Sequence, residues 1–404
     1  MKNQLYLGLF CIIIGAFAGA VVWLFLKIII EGTTFLWEWL PQKVDIPFYT
    51  VLVCTAGGLI CGLIRKKFGD YPEELTVVLE KMRKEKRYEY RQMPVMILSA
   101  LRPLLLGSSI GPEAGLAGII VALCCWAGEN LKFARQNARE YSEVGMAVTL
   151  GVLFHSPLFG IFSVEEDAGE QKIYSLTRTS KILLYGLALS AGSGSYLLLS
   201  KMFGAAMEGL PSFPAAEPKW EDYLMILVYI AGGLLLTKFY QLTYRGSQKL
   251  AGRIPGVLRE AVGGLFLGIV GSAVPAVMFS GEEQMGILMD AYVEYLPITL
   301  VCIAFIKILL TNVCIESGLK GGHFFPVIFA GVCFGYGVAG LIFQESAGHV
   351  VFAAAIVTAT LLGGIMKKPL AVTMILFICF PVRLFVWIFL AAALGSRCAA
   401  KPLD

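Results

Sequence analysis

The chain has 404 residues, 57% hydrophobic and only 15% charged, with a mean hydropathy of +0.74. That is far too apolar for a water-soluble domain and identifies a polytopic membrane protein. A formal net charge of +4 is too slight to imply nucleic acid, and neither the three histidines nor the ten cysteines form a metal-ligand spacing or a disulfide framework, so no cofactor and no metal is expected.

In chain order, mainly apolar windows of about 17–25 residues, the length that crosses a hydrocarbon core, run near 5–30, 47–64, 94–106 with 114–127, 144–164, 180–199, 223–240, 260–279, 295–314, 324–343, 349–365 and 369–395. The first is too long for a signal-peptide core and lacks a cleavage site, so it is expected to stay as the first helix. Its Gly15-Ala16-Phe17-Ala18-Gly19 run permits close helix contact, within the chain or between subunits. Arg65, Lys66, Lys67, Lys81, Arg83, Lys84, Lys86, Arg87 and Arg91 crowd one connection, which the positive-inside rule assigns to the cytoplasm. The expected location is the plasma (inner) membrane, with many passes. Several windows are short or interrupted by Gly and Pro, the pattern of helices that stop part way and expose their ends inside the protein.

The run Ile110-Gly111-Pro112-Glu113-Ala114-Gly115 carries one carboxylate at the mouth of an uncharged apolar stretch. An ionised side chain at a membrane midplane costs about 2.5–3.5 kcal/mol on insertion scales, so Glu113 is a functional candidate. Gly111, Pro112 and Gly115 make a turn that ends one segment, opens a helix and leaves main-chain N–H groups beside the carboxylate. A glutamate in such a first turn also serves simply to complement the helix dipole.

The same landmarks recur. Gly69-Asp70-Tyr71-Pro72-Glu73-Glu74-Leu75 matches Phe279-Ser280-Gly281-Glu282-Glu283-Gln284-Met285, Gly111-Pro112-Glu113 matches Gly322-His323-Phe324, and Ser156-Pro157-Leu158 matches Lys368-Pro369-Leu370, at offsets of 210, 211 and 212. A near-constant offset predicts two repeats, 1–205 and 206–404, joined by a linker at 204–222 that is rich in Pro, Gly and charge. The expected fold is all-α, two inverted repeats of tilted, partly membrane-spanning helices. One helix start contributes about 0.3–2 kcal/mol to holding an anion, less than dehydrating a halide costs. Starts at 69–75, 111–116 and 321–326 together replace part of the water shell without a full charge in the path.

These residues resemble the CLC chloride channels and chloride/proton exchangers over nearly the whole chain. Gly111-Pro112-Glu113-Ala114-Gly115 is similar to the family's Gly-Arg-Glu-Gly-Pro motif, which implies that Glu113 is the external gate. Gly322-His323-Phe324-Phe325-Pro326 resembles Gly-x-Phe-x-Pro, which implies anion binding by the amides of His323 and Phe324. Phe154-His155-Ser156-Pro157-Leu158-Phe159-Gly160 with Glu165-Glu166-Asp167 resembles the run that ends in the internal proton acceptor, which falls on Asp167 with Glu166 beside it. The anion-binding set is then Gly69, Gly111, Pro112, Glu113, Ala114, Gly322, His323, Phe324 and Phe325. The resemblance further implies small-anion and proton traffic across a lipid bilayer, no enzymatic activity and a homodimer.

Departures bear on the mechanism. Gly69 stands where the family usually has a serine hydroxyl, Pro112 replaces the motif's arginine, and Gly115 its proline. The pattern's pore tyrosine and last helix have no counterpart before Asp404, and no cytoplasmic regulatory domain is expected. Three readings stay open: coupled chloride/proton antiport, a pH-gated passive anion channel, and fluoride export. A cation-coupled carrier would use carbonyl-rich helix C-termini instead, and a membrane hydrolase would need a nucleophile and base that none of the histidines supplies. His155 and His349 read as packing residues, and Glu316 and Lys320 as either field-shaping or mutually paired.

Overall fold

A computed structural model of the chain describes residues 2–44, 46–69, 71, 93–130, 138–165, 178–205, 209–215, 217–343 and 347–399. The described residues are almost entirely helical, with no strand beyond one isolated bridge. Among the described residues six helices are long and apolar enough to cross a membrane: Gly8–Lys43, Leu183–Phe203, Trp220–Ala251, Pro297–Ser317, Phe324–Ile342 and Gly348–Met366. Apolar helices of 10–17 residues accompany them, among them Met93–Leu105, Val144–Leu153 and Pro369–Cys379. These are the part-way helices that the interrupted windows predict. The last window, 369–395, is two helices, Pro369–Cys379 and Phe385–Cys398, parted by a 3-10 turn at Val382–Leu384. Pro381 has no N–H to continue the ladder, and its ring excludes the next helical turn.

Contacts divide the chain into two compact units, one of Met1–Gln42, Asp70–Leu101 and Pro112–Gly209, the other of Lys43–Gly69, Arg102–Gly111 and Leu210–Asp404. In the first, helix α1 (Lys2–Thr34) lies along α7 (Arg178–Phe203). The Gly15–Gly19 face makes this contact inside the chain: a Cβ on Gly15 would sit 2.1 Å from Ala188 O, and one on Gly19 2.1 Å from Gly192 O. Ser195 Oγ donates across the same seam to Ala16 O at 2.7 Å. Helix α5 (Ala138–Leu153) packs against α1, α7, α4 (Glu113–Asn130) and α6 (Pro157–Glu165). Ser156 caps α6, its Oγ accepting the Phe159 N–H at 3.2 Å.

In the second unit, α2 (Tyr49–Phe68) packs antiparallel on α9 (Val257–Ala273) by the same means. Gly58 faces Glu260 O and Gly264 faces Cys54 O, with no room for a side chain at either. Buried Glu260 pairs there with Arg65. The core of the unit is formed by α12 (Phe324–Ile342) and α13 (Ala347–Met366), apolar on nearly all sides, flanked by α8 (Trp220–Ala251), α11 (Pro297–Ser317) and α15 (Phe385–Cys398).

Left-handed backbone marks the helix junctions. Of the eleven described residues with positive φ, eight form pairs along the sequence: Phe48 with Gly256, Gly69 with Phe279, Gly107 with Gly318, and His155 with Lys367, at offsets of 208, 210, 211 and 212. Four of the eight are not glycine, so tertiary context rather than residue type holds them there. The α2–α9 contact is checked by Gly264→Ala: its Cβ would meet main chain at 2.1 Å, and the thermal unfolding midpoint in detergent should fall by the equivalent of about 1–3 kcal/mol.

Candidate functional site

Two turns inside the second unit share one construction. Helix α3 (Met93–Leu105) ends with Gly107 at φ 74°, its N–H bonded to Leu104 O at 3.1 Å and the Ser108 N–H to Pro103 O at 3.2 Å. Helix α11 ends with Gly318 at φ 96°, its N–H bonded to Ile315 O at 3.1 Å and the Leu319 N–H to Cys314 O at 2.9 Å. Both are Schellman caps, which favour glycine at the left-handed position because it carries no Cβ.

Four residues beyond each glycine the two turns meet. Gly111 N–H donates to Gly322 O at 2.8 Å, and Gly322 N–H returns to Gly111 O at 2.7 Å. Ser109 and Thr311 share a buried hydroxyl bond of 2.9 Å beside this bridge. The approach is close enough that a Cβ on Gly321 would lie 2.5 Å from Ile110 Cδ1. Main chain that leaves a helix at membrane depth must find its partners within protein, and here each turn supplies the other's.

Past the bridge each turn opens a helix. The Leu116 N–H bonds Pro112 O at 3.0 Å, and the Val327 N–H bonds His323 O at 3.1 Å. The amides before these, of Glu113, Ala114 and Gly115 on α4 and of Phe324 and Phe325 on α12, are the first of their helices, the positions that precede the regular helical ladder. Each such end carries about +0.5 of an elementary charge. In the first unit, Glu113 is the first residue of α4, with 1% of its surface exposed. Covalent geometry alone keeps its Cα within about 7 Å of that of Gly111.

Of the other expected anion-site residues, Pro112, Ala114, Gly322, Phe324 and Phe325 are buried, and His323 is partly exposed. The His323 ring packs 5.9 Å from Tyr240 and 4.9 Å from Phe324. Gly69 is exposed at the end of α2, with φ 102° and its N–H on Arg65 O at 2.9 Å; of 70–75 only Tyr71 is described. Glu166 and Asp167 lie outside the described residues. His155 packs edge-on against Tyr196.

Two features escaped the sequence reading, which took His349 for a packing residue only. His349 Nδ1 lies 2.8 Å from Asp222 Oδ1 with both residues buried, a pair 127 positions apart that no local pattern announces. Lys307, fully buried in α11, is the other. A lone lysine in Ile306-Lys307-Ile308 is a signal that window-averaged hydropathy hides.

A family model described as "Voltage gated chloride channel" matches residues 57–400. Curated relatives named "Putative ion-transport protein YfeO" include those of Salmonella paratyphi A, 27% identical over 352 residues, and Salmonella newport, 26% identical; each alignment covers 83% of this chain and 80% of the relative. Among solved structures, a slow cyanobacterial Cl-/H+ antiporter superposes with a TM-score of 0.79 at 17% identity, covering 99% of this chain and 96% of that one. A CLC-type fluoride/proton antiporter superposes with a TM-score of 0.76 at 19% identity, covering 98% and 95%. The fold is therefore shared with these two solved structures over nearly its whole length.

The hydroxyl pair beside the bridge gives a direct check on the site's rigidity. Thr311→Val leaves Ser109 Oγ buried without its partner and should destabilise the protein by about 1–3 kcal/mol. The double variant with Ser109→Ala should recover part of that loss in the same detergent unfolding assay.

Proposed function

The chain belongs to the voltage gated chloride channel family, and from that membership we propose that it is a chloride/proton antiporter gated by Glu113. A multi-pass membrane protein of this family moves small anions. The finer reading rests chiefly on the reciprocal main-chain bridge between Gly111 and Gly322, each of which leads within two residues into a helix N-terminus. A helix N-terminus favours an anion without holding it by a full charge. The matching Schellman caps and the paired left-handed residues support a repeat relation between 1–205 and 206–404.

In this mechanism the ionised Glu113 carboxylate is a tethered anion. It occupies the N–H groups that the permeant ion needs, and protonation releases it. A proton then crosses between Glu113 and the cytoplasm by way of Asp167 or Glu166, so that anion movement one way is linked to proton movement the other. The protein works as a homodimer in the plasma (inner) membrane. Because the structural neighbours include both a chloride/proton and a fluoride/proton antiporter, the halide preference is read out in the same assay.

Flux from proteoliposomes provides the test. Glu113→Gln should abolish both the pH dependence of anion efflux and any anion-driven proton uptake; unchanged behaviour would remove the gate assignment. Asp167→Asn and Glu166→Gln, measured separately, should retain anion efflux while one of them stops proton uptake. If neither does, the protein is a passive anion channel.

A further inference from the structure

Lys307 lies in α11 with no exposed surface, and its Nζ donates to Val277 O at 3.1 Å, Met278 O at 3.0 Å and Phe279 O at 2.8 Å. The ammonium also stands 5.3 Å from the centroid of the Phe329 ring. Its three donors are thus all taken by main-chain carbonyls, and among the described residues no carboxylate pairs with it. Carbonyls contribute dipoles, not charge. In its ammonium form the group carries a full positive charge, in surroundings where fields are weakly screened.

The carbonyls it holds belong to the site's scaffold. Phe279 is a non-glycine residue at φ 56°, fixed at its carbonyl by Lys307 and at its N–H by Gly107 O at 2.9 Å. Gly107 is the cap glycine from which the chain runs to Gly111. One helical turn after Lys307, Thr311 donates to Lys307 O and bonds Ser109. One face of α11 therefore reaches the 107–111 turn twice, directly through Thr311 on Ser109 and, by way of Phe279, from Lys307. Scaffolding alone does not call for a charge, because the residue 211 positions earlier, on α3, is the buried Met96.

We propose that Lys307 is a specificity-determining residue for transport, a fixed buried charge that raises anion affinity at the Gly111–Gly322 turns without belonging to the gate. The inference rests on the anion-site reading above, and it adds the source of the net positive field that two helix ends do not supply.

Anion efflux from proteoliposomes, measured as a function of chloride concentration, tests it with Lys307→Arg, Lys307→Gln and Lys307→Met, alongside Glu113→Gln. Arginine keeps charge and donors, glutamine keeps donors alone, and methionine keeps neither. The half-saturating chloride concentration should stay at the parent value for Arg and rise about tenfold or more for Gln and Met, the lower end of what focused charge does to local ion concentration. The inference is overturned if Gln matches Arg, which would leave Lys307 a purely structural tie, or if all three variants match the parent. Where Met fails to fold, the contrast between Arg and Gln decides. A silent Lys307 series beside an altered Glu113→Gln defeats this inference alone, whereas an unaltered Glu113→Gln defeats the gate.

Discussion

Inside a bilayer an interrupted helix leaves amides and carbonyls with no water to receive them, and each one left unmet is costly. This constraint organises the second unit. Helices α3 and α11 each stop on a left-handed glycine, fold their last carbonyls into a Schellman cap, and bring the next stretch of main chain together at Gly111 and Gly322. The two breaks are tolerated because each completes the other. The chemistry follows from the same geometry, since a helix that restarts in protein rather than water presents its first amides to whatever lies there.

Close approach depends on missing side chains. Gly58 and Gly264 let α2 and α9 touch main chain to main chain, and Gly15 and Gly19 do so for α1 and α7. With no hydrophobic gain to be had between helices in lipid, van der Waals contact and hydroxyl bonds such as that of Ser195 on Ala16 O carry the association. Several of the buried ionisable groups among the described residues have partners: Glu260 with Arg65, Asp222 with His349, Lys307 with three carbonyls.

The all-α membrane fold was legible because composition excludes a soluble domain and because apolar windows such as 295–314 and 324–343 track Pro297–Ser317 and Phe324–Ile342 closely. The breaks at Gly107–Pro112 and Gly318–Gly322 were legible as well, since glycine and proline have direct backbone consequences. The split at Pro381 was readable in principle but disappears in a long apolar average. Phe48, His155, Phe279 and Lys367 adopt left-handed backbone although nothing in their side chains favours it; packing imposes it, and local propensity has no means of reporting it. Lys307 was obscured for a related reason, its acceptors lying about thirty residues back in the chain, 28 to 30 positions away.

The α1–α7 seam also bears on how the molecule is made. Ser195 reaches Ala16 across 179 positions of chain, so the first helix enters the lipid long before the surface that will complement its glycine face exists. At synthesis rates of about 5–20 residues per second, that gap is about 10–40 s. During this interval the nascent segment can be met by another helix with a small-residue face, or shielded by the insertion machinery. Biogenesis thus places a demand on α1 distinct from that of the finished fold: it must be apolar enough to wait alone in lipid and still keep a bare stripe for a latecomer.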